Sequence, residues 1–245
     1  MKKNKLQILS VALILAIGFN ACSKDDDVVP EPDQEYPARV MIEDGEMVDL
    51  EEVASTEMTE GTISRDGNVY ALRDFRQNEE VPKLDEDGEP ALDDNNEPIM
   101  ELESKTRFYF DFKENDAADE DNFAVSLGAA TNDIDLTVNT EEGYGLAYID
   151  EAFEEVNADD SFTDAEDNKL GLKSPFNPDA EAWANYTGGP NHQVLPVEGR
   201  TYIITKEGKP FFKFRINSVY SGEEPEREEA PGNYFFYSID YQEFE

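Results

Sequence analysis

His192 is the one side chain of this sequence that could serve as a general base near neutral pH or as a nitrogen ligand to iron. It stands in the run Gly-Gly-Pro-Asn-His-Gln, whose turn-forming residues equally favour a structural histidine that bonds backbone groups. Trp183 and Tyr186 precede it, and they could line a cleft for a flat ligand or fill the core beneath a loop. These three residues are the candidate ligand-binding set, and both interpretations stay open.

A second group of residues offers only oxygen ligands and a turn, the chemistry that Ca²⁺ prefers. Its members are Asp85, Glu86, Asp87, Gly88, Asp93, Asp94 and Glu97. The spacing of an EF-hand loop is absent, so loose divalent binding and a merely solvated acidic loop are both open. Whether any metal binds is not specified by the pattern.

Motifs of known catalytic machinery are missing. The sequence contains no Gly-x-Ser-x-Gly elbow, no phosphate-binding Gly-rich loop and no dinucleotide fingerprint. Paired carboxylates for glycoside hydrolysis need two acids at a set distance, and nothing among the 58 Asp and Glu residues singles out a pair. We therefore expect a protein that is not an enzyme.

Composition excludes several other classes of function. The net charge of −38 repels phosphate backbones, which argues against nucleic-acid binding. A single Cys excludes an internal disulfide and a Cys-rich zinc site, and a single His excludes bis-His haem ligation within one chain. Yet 15 Phe, 11 Tyr and one Trp are too many aromatics for a disordered acidic chain. We expect an aromatic core that carries acidic loops.

Residues 1–21 have the layout of a secretory signal peptide. Three lysines precede an apolar run over residues 6–19, which is too short to span a bilayer. The run ends in Phe-Asn-Ala-Cys, which resembles the lipobox cleaved by bacterial lipoprotein signal peptidase, with Ala21 as its small residue. Cys22 is then the predicted site of acylation, palmitate included. The alternative is an ordinary cleaved signal with an incidental cysteine.

The residues after Cys22 are acidic and resemble the export signal of Bacteroidota surface lipoproteins. They are Ser23, Lys24, Asp25, Asp26 and Asp27. The resemblance implies the outer membrane and its outward face, and the alternative is a solvated charge run. Residues 22–38 as a whole are acidic and Pro-rich, and we interpret them as a tether.

The rest of the chain, residues 39–245, predicts a single β-rich domain. Alternation with a period of two dominates, and Asp66-Gly67 between two alternating segments indicates a hairpin. The predicted strands cover residues 59–64, 69–75, 108–112, 123–127, 134–138, 144–149, 201–206, 211–220 and 234–241. The predicted fold is all-β, mostly antiparallel, with short helices only, at 151–156 and 178–184. Acidic insertions at about 77–104 and 221–233 are expected to be surface loops, and no internal repeat is expected.

From Gly143 onward the sequence resembles the HmuY-like lipoproteins, whose characterised members bind haem outside the cell. The resemblance covers roughly residues 105–245. It rests on the stretches GYGLAY, FEEV, WANY, NHQV, TYIITKEGKPFFKFRINSVY and NYFFYSIDYQEF. It implies a mostly antiparallel β fold and capture of haem for an outer-membrane transport system.

The sequence departs from the family at the haem ligands. In the Trp-x-x-aromatic-Ser-His-Gly-Pro run of the best-known family member, the ligand position falls on Gly188 of this sequence, which cannot bind iron. His192 would have to replace it, with a Met or Tyr completing the axial pair. The methionines all lie outside the better-matching region, at Met1, Met41, Met47, Met58 and Met100.

Together these observations predict a surface lipoprotein that binds haem or another flat ligand for nutrient uptake. The outer membrane, reached through the lipid anchor, and a TonB-dependent outer-membrane transporter are the implied partners. The alternative is a structural or interaction module of the outer membrane that binds a protein or glycan and no haem.

Overall fold

The alternating segments of the sequence pair into two sheets in the computed structural model, which describes residues 38–225 and 233–245. In chain order the strands are β1 (Met47–Asp49), β2 (Thr59–Asp66), β3 (Val69–Pro82), β4 (Met100–Ser104), β5 (Arg107–Asp111), β6 (Asp116–Ala117), β7 (Val125–Gly128), β8 (Leu136–Val138), β9 (Tyr144–Ile149), β10 (Thr163–Asp164), β11 (Lys169–Lys173), β12 (Ala182–Tyr186), β13 (Val194–Pro196), β14 (Thr201–Lys206), β15 (Lys209–Tyr220) and β16 (Tyr234–Glu243). A four-residue helix, α1 (Leu50–Val53), follows β1 and has Asp49 as its N-cap. The predicted all-β class is confirmed.

The larger sheet has the order β1-β2-β3-β16-β15-β14-β9-β10, and β4 pairs with the far end of β3. The smaller sheet has the order β13-β12-β11-β8-β7-β5-β6. Among the described pairs, β11 and β12 run parallel and all others are antiparallel. The hairpin predicted at Asp66-Gly67 joins β2 to β3, and Gly67 adopts φ of 63° in its turn.

An aromatic core fills the space between the two sheets. The predicted inward face of β5 is confirmed, since Phe108 and Phe110 are fully buried, and Phe112 beyond the strand end is buried with them. The ring of Phe112 stacks on that of Tyr241 from β16 at 4.5 Å between centroids. Phe75 from β3 meets Phe110 edge-on at 5.4 Å. Rings from both layers therefore interdigitate in one cluster.

The two predicted helices are wrong. Residues 151–156 form a turn instead, because Phe153 and Val156 are buried and Lys213 donates to both of their carbonyls at 2.8 Å. A lysine from β15 thus supplies the partner that a helix would have provided within the chain. In residues 178–184, the last three residues are buried at the start of β12, and their backbone pairs with β11 and β13.

Four buried tyrosines of the larger sheet place their hydroxyls on the opposite layer. Tyr237 donates to the Gly128 carbonyl at 2.6 Å and Tyr202 to the Trp183 carbonyl at 2.9 Å. The Tyr241 hydroxyl donates to the Asn115 side-chain oxygen at 2.7 Å. The Tyr220 hydroxyl accepts a hydrogen bond from the Val194 backbone N–H at 2.8 Å. Burial raises the pKa of each of the four phenols. The sheets are joined by these bonds as well as by packing.

These raised pKa values predict unfolding at alkaline pH. Above about pH 10 the unfolded chain ionises its tyrosines and the folded chain does not, so the stability is full below that pH and lost above it. Each such tyrosine lowers the free energy of unfolding by up to about 1.4 kcal/mol per pH unit. Urea unfolding from about pH 8 to about pH 11 will show this slope, and Tyr237→Phe will make it shallower by one tyrosine's share.

At neutral pH, Tyr237→Phe will also cost about 1–3 kcal/mol, because the buried Gly128 carbonyl loses its donor. Phe108→Leu is the matched control, since Phe108 packs edge-on against Tyr237 but has no ionisable group. It will lower stability equally at every pH. Equal pH slopes for Tyr237→Phe and the unmodified protein would contradict the assignment.

Candidate functional site

His192 lies in the loop between β12 and β13, which backbone hydrogen bonds hold in shape. The Thr187 N–H donates to the Gln193 carbonyl at 2.8 Å, and the His192 N–H donates to the Gly188 carbonyl at 2.9 Å. His192 adopts a left-handed φ of 47°, which a residue with a hydrogen-bonding side chain tolerates in a turn. Its side chain is exposed to solvent. The loop therefore presents the imidazole rather than burying it.

The Tyr186 hydroxyl shares a hydrogen bond with His192 Nδ1 and so orients the ring. When Nδ1 carries the proton and donates to Tyr186, the lone pair of Nε2 is free to bind a metal or to accept a proton. A Cβ on residue 189 would lie 3.5 Å from Nε2, and because that residue is Gly189 this side of the ring stays open. Two of the three predicted residues are thus brought together.

Trp183 does not join them, because it belongs to the core. Its side chain is 1% exposed, and its indole N–H donates to the Ile134 carbonyl at 2.7 Å. The alternation along β12 explains the difference, since Trp183 and Tyr186 are three residues apart and point to opposite faces. Of the two interpretations of Trp183, the structure shows the core one.

Phe176 is a further residue at this site that the sequence did not single out. It is 91% exposed in the turn after β11, between Ser174 and Asn177. Because β11 and β12 run parallel, their ends lie at the same edge of the sheet, and Pro175 stands 3.4 Å from the position a Gly188 Cβ would take. A lone Phe in the turn sequence Ser-Pro-Phe-Asn was the available signal.

Tyr234 and Phe235, at the start of β16, complete this group of rings. Their centroids are 3.9 Å apart, and Tyr234 lies 5.4 Å from Tyr220. Burial, followed by nearby Tyr237, Tyr220 and Tyr186, raises the pKa of Tyr234. We call the set Phe176, Tyr186, His192, Tyr234 and Phe235 the aromatic edge.

The acidic segment at 77–104 is ordered, which corrects its interpretation as a loop. β3 continues to Pro82 and β4 begins at Met100, and five register pairs join them. Between them the sequence repeats with a period of eight, although no repeat was expected. The equivalent positions are Pro82, Pro90 and Pro98; Lys83, Ala91 and Ile99; Leu84, Leu92 and Met100; and Asp85, Asp93 and Glu101.

The repeats fold into three lobes around a ring of backbone hydrogen bonds. The Lys83 N–H donates to the Ile99 carbonyl, Ile99 to Ala91, and Ala91 back to Lys83, at 2.7–2.8 Å. Each lobe is closed by a pair of opposed residues in antiparallel backbone pairing: Leu84 with Pro90, Leu92 with Pro98, and Met100 with Pro82. Two lobes are tight turns and the third is the β3–β4 ladder. We call residues 82–100 the cloverleaf.

Carboxylates close the two tight lobes instead of gathering around a cation. Asp85 Oδ1 accepts the N–H groups of Asp87 and Glu89 at 2.9 and 3.0 Å. Asp93 accepts those of Asn95 and Glu97 at 2.8 and 2.9 Å in the same way, and these bonds lower the pKa of Asp93. Within the described part of the chain, no three His, Cys, Asp or Glu side chains converge as metal ligands would.

Two shallow acidic depressions of about 430 and 300 Å³ share Asp111, Glu114 and Asn122. Burial raises the pKa of Asp111, although its carboxylate accepts the Glu114 and Lys113 N–H groups. Burial, and then the charges of Asp111 and other acids, raises the pKa of Tyr144 in the smaller depression to about 12. The half-buried Asp111 carboxylate therefore holds the backbone of the turn that follows β5.

Comparison of the chain with protein-family models, curated proteins and solved structures finds no match in any of the three. The resemblance to HmuY-like lipoproteins remains a prediction. Cys22 and the export signal at residues 23–27 lie outside the described residues. Over residues 38–225 and 233–245, the structure contains no helix of the length and apolar character that a membrane span requires.

The hydrogen bonds of Asp93 predict a local effect of its removal. Asp93→Ala leaves the N–H groups of Asn95 and Glu97 without an acceptor, so we expect several-fold faster hydrogen exchange at these two amides. The first lobe, with Asp87 and Glu89, will keep its exchange rates. Asp94→Ala is the control and will change neither lobe, and unchanged exchange at Asn95 in Asp93→Ala would contradict the role assigned to Asp93.

Proposed function

We propose that the protein is a lipid-anchored surface protein of an outer membrane that binds haem, or another flat ligand, at the aromatic edge for nutrient uptake. The observation that carries the proposal is the exposed imidazole of His192, whose Nδ1 is bonded to Tyr186 while Gly189 leaves Nε2 accessible. No catalytic step is part of the proposal.

The residues of the aromatic edge fit a porphyrin in two respects. A histidine that ligates a metal ordinarily has its second ring nitrogen hydrogen-bonded, and Tyr186 supplies that partner. Exposed or half-buried rings such as Phe176 and Tyr234 suit contact with a flat apolar ligand. When bound, haem would supply iron that accepts the Nε2 lone pair. Gly188, where the family carries its ligand, contributes only the turn that positions His192.

The anchor belongs to the same proposal and rests on Cys22. A thioether-linked diacylglycerol there holds the chain stably, because each buried CH₂ contributes about 0.8 kcal/mol. The acidic, Pro-rich residues 22–38 would hold the domain away from the bilayer. A TonB-dependent outer-membrane transporter would then receive the ligand.

Titration with haemin tests the binding site. We expect a shifted Soret band in the oxidised and reduced states that is lost in His192→Ala. Tyr186→Phe removes the partner of Nδ1 and will weaken haemin binding by about tenfold to a hundredfold. Tyr109→Phe, the same change in β5, is the control and will bind as the unmodified protein does.

Two results would count against the haem proposal in different ways. A Soret band equal to that of free haemin would end it. A shifted band that survives in His192→Ala would move the ligand to a methionine or a tyrosine.

Removal of Cys22 tests the anchor separately. Cys22→Ala, expressed in a bacterium with lipoprotein processing, will no longer partition into the detergent phase, because no acyl chains are attached. Mass spectrometry of the unmodified protein will show a lipid-bearing N-terminal cysteine. Detergent partitioning that persists in Cys22→Ala would contradict lipidation at this residue.

The alternative function, an interaction module without haem, is favoured by a specific observation. The cloverleaf is an ordered, exposed structure that contributes no side chain to the core cluster. Exposed large apolar side chains on such a structure are typical of a surface that binds a partner.

A further inference from the structure

We propose that the cloverleaf is a docking surface for a protein partner whose apolar side chains are ringed by lysine and arginine. It is independent of haem binding, since no residue of the aromatic edge belongs to it. Apolar exposure, order and charge each support it.

The cloverleaf exposes apolar side chains at equivalent positions of its repeat. Leu84, Leu92 and Met100 are 58%, 48% and 46% exposed. The hydrogen-bonded ring relates the three lobes, and from this repeat we infer that the equivalent residues share one face of the cloverleaf. Ile99, in the neighbouring position of the repeat, and Leu102, two residues beyond the cloverleaf, are also exposed, so this short segment holds five of the ten large apolar side chains exposed among the described residues. Such concentration indicates an interface rather than scattered surface residues.

This face is held in shape before any partner arrives. The ring of three backbone bonds fixes the centre, and Asp85 and Asp93 close the lobes. A preordered surface loses little conformational entropy on binding, so its apolar area contributes more fully to affinity. Among the described strands, β4 pairs with β3 and with no strand of the smaller sheet.

The charge around this face identifies the partner's chemistry. Eleven acidic side chains and one lysine, Lys83, lie between Glu79 and Glu103. An acidic rim around an apolar centre complements a surface with a basic rim, and it speeds association with such a surface. A second copy of this chain would bring the same acidic rim and be repelled. Phosphate-bearing surfaces are disfavoured for the same reason.

Two synthetic ten-residue peptides, one alternating Lys and Leu and the other Lys and Ser, test the proposal against the full chain in detergent. Both carry the same charge, so the difference reports the apolar face. We expect the Lys–Leu peptide to bind about tenfold more tightly or better. Leu84→Ser with Leu92→Ser will reduce its affinity to that of the Lys–Ser peptide.

A matched control removes two exposed apolar side chains elsewhere. Met41 and Leu195 are 70% and 39% exposed and lie outside the cloverleaf. Met41→Ser with Leu195→Ser will leave the affinity for the Lys–Leu peptide unchanged.

Glu86→Gln with Asp94→Asn tests the acidic rim, since Asp85 and Asp93, not these two, accept the bonds that shape the lobes. This pair will slow association and make it less sensitive to salt.

A photo-crosslinking Lys–Leu peptide locates the contact on the unmodified protein, and therefore does not depend on how the variants fold. Crosslinks within residues 82–100 support the proposal. Crosslinks elsewhere, or equal affinity for the two peptides, would overturn it. Self-association of the chain that Leu84→Ser with Leu92→Ser abolishes would also overturn it, because the occupant would then be a second copy.

Discussion

The registration of the two sheets, and with it the position of the His192 loop, depends on four tyrosine hydroxyls that cross the core. A buried phenol must have a hydrogen-bond partner, and each of these partners belongs to the opposite layer. The interdigitated rings already resist sliding of the layers, and these directional bonds add a second constraint on their registration. Tyr202 and Tyr220 bond β12 and the start of β13, which are the strands on either side of the His192 loop. The core thereby sets where the imidazole stands.

The parallel pair β11–β12 then brings together the two loops of the smaller sheet that contribute to the aromatic edge. An antiparallel β11–β12 pair would have sent Phe176 and His192 to opposite ends of the sheet. The parallel register, with Lys173 opposite Asn185, brings both loops to one end. A parallel pair needs a crossover between its strands, and here residues 174–181 provide it as an exposed turn. The candidate site therefore follows from topology, and no contiguous motif encodes it.

What the sequence could predict follows from how local each feature is. Phe108 and Phe110 alternate with partly exposed neighbours along β5, and such alternation predicts a strand and its buried face correctly. The helix that the sequence predicts at 151–156 is wrong, because the decisive partner of this turn, Lys213, is about 60 residues away in the sequence. The sequence does not distinguish the surroundings of Trp183 from those of Tyr186. In the structure Trp183 is buried, whereas Tyr186 is half-buried and bonds His192 through its hydroxyl.

Backbone and side-chain hydrogen bonds order the strongly acidic cloverleaf. Asp85 and Asp93 direct their charge at backbone N–H groups, and the bonds from Glu97 and Asn95 lower the pKa of Asp93. A carboxyl with a lowered pKa stabilises the folded state above its unfolded value, about 3.9, and loses this effect as the pH falls through the folded value. The lobe that Asp93 closes is therefore held by a charged carboxylate above that pH range. The next residues in the sequence, Glu86 and Asp94, are available to attract a basic partner. Order and electrostatic attraction therefore arise from neighbouring positions of one repeat.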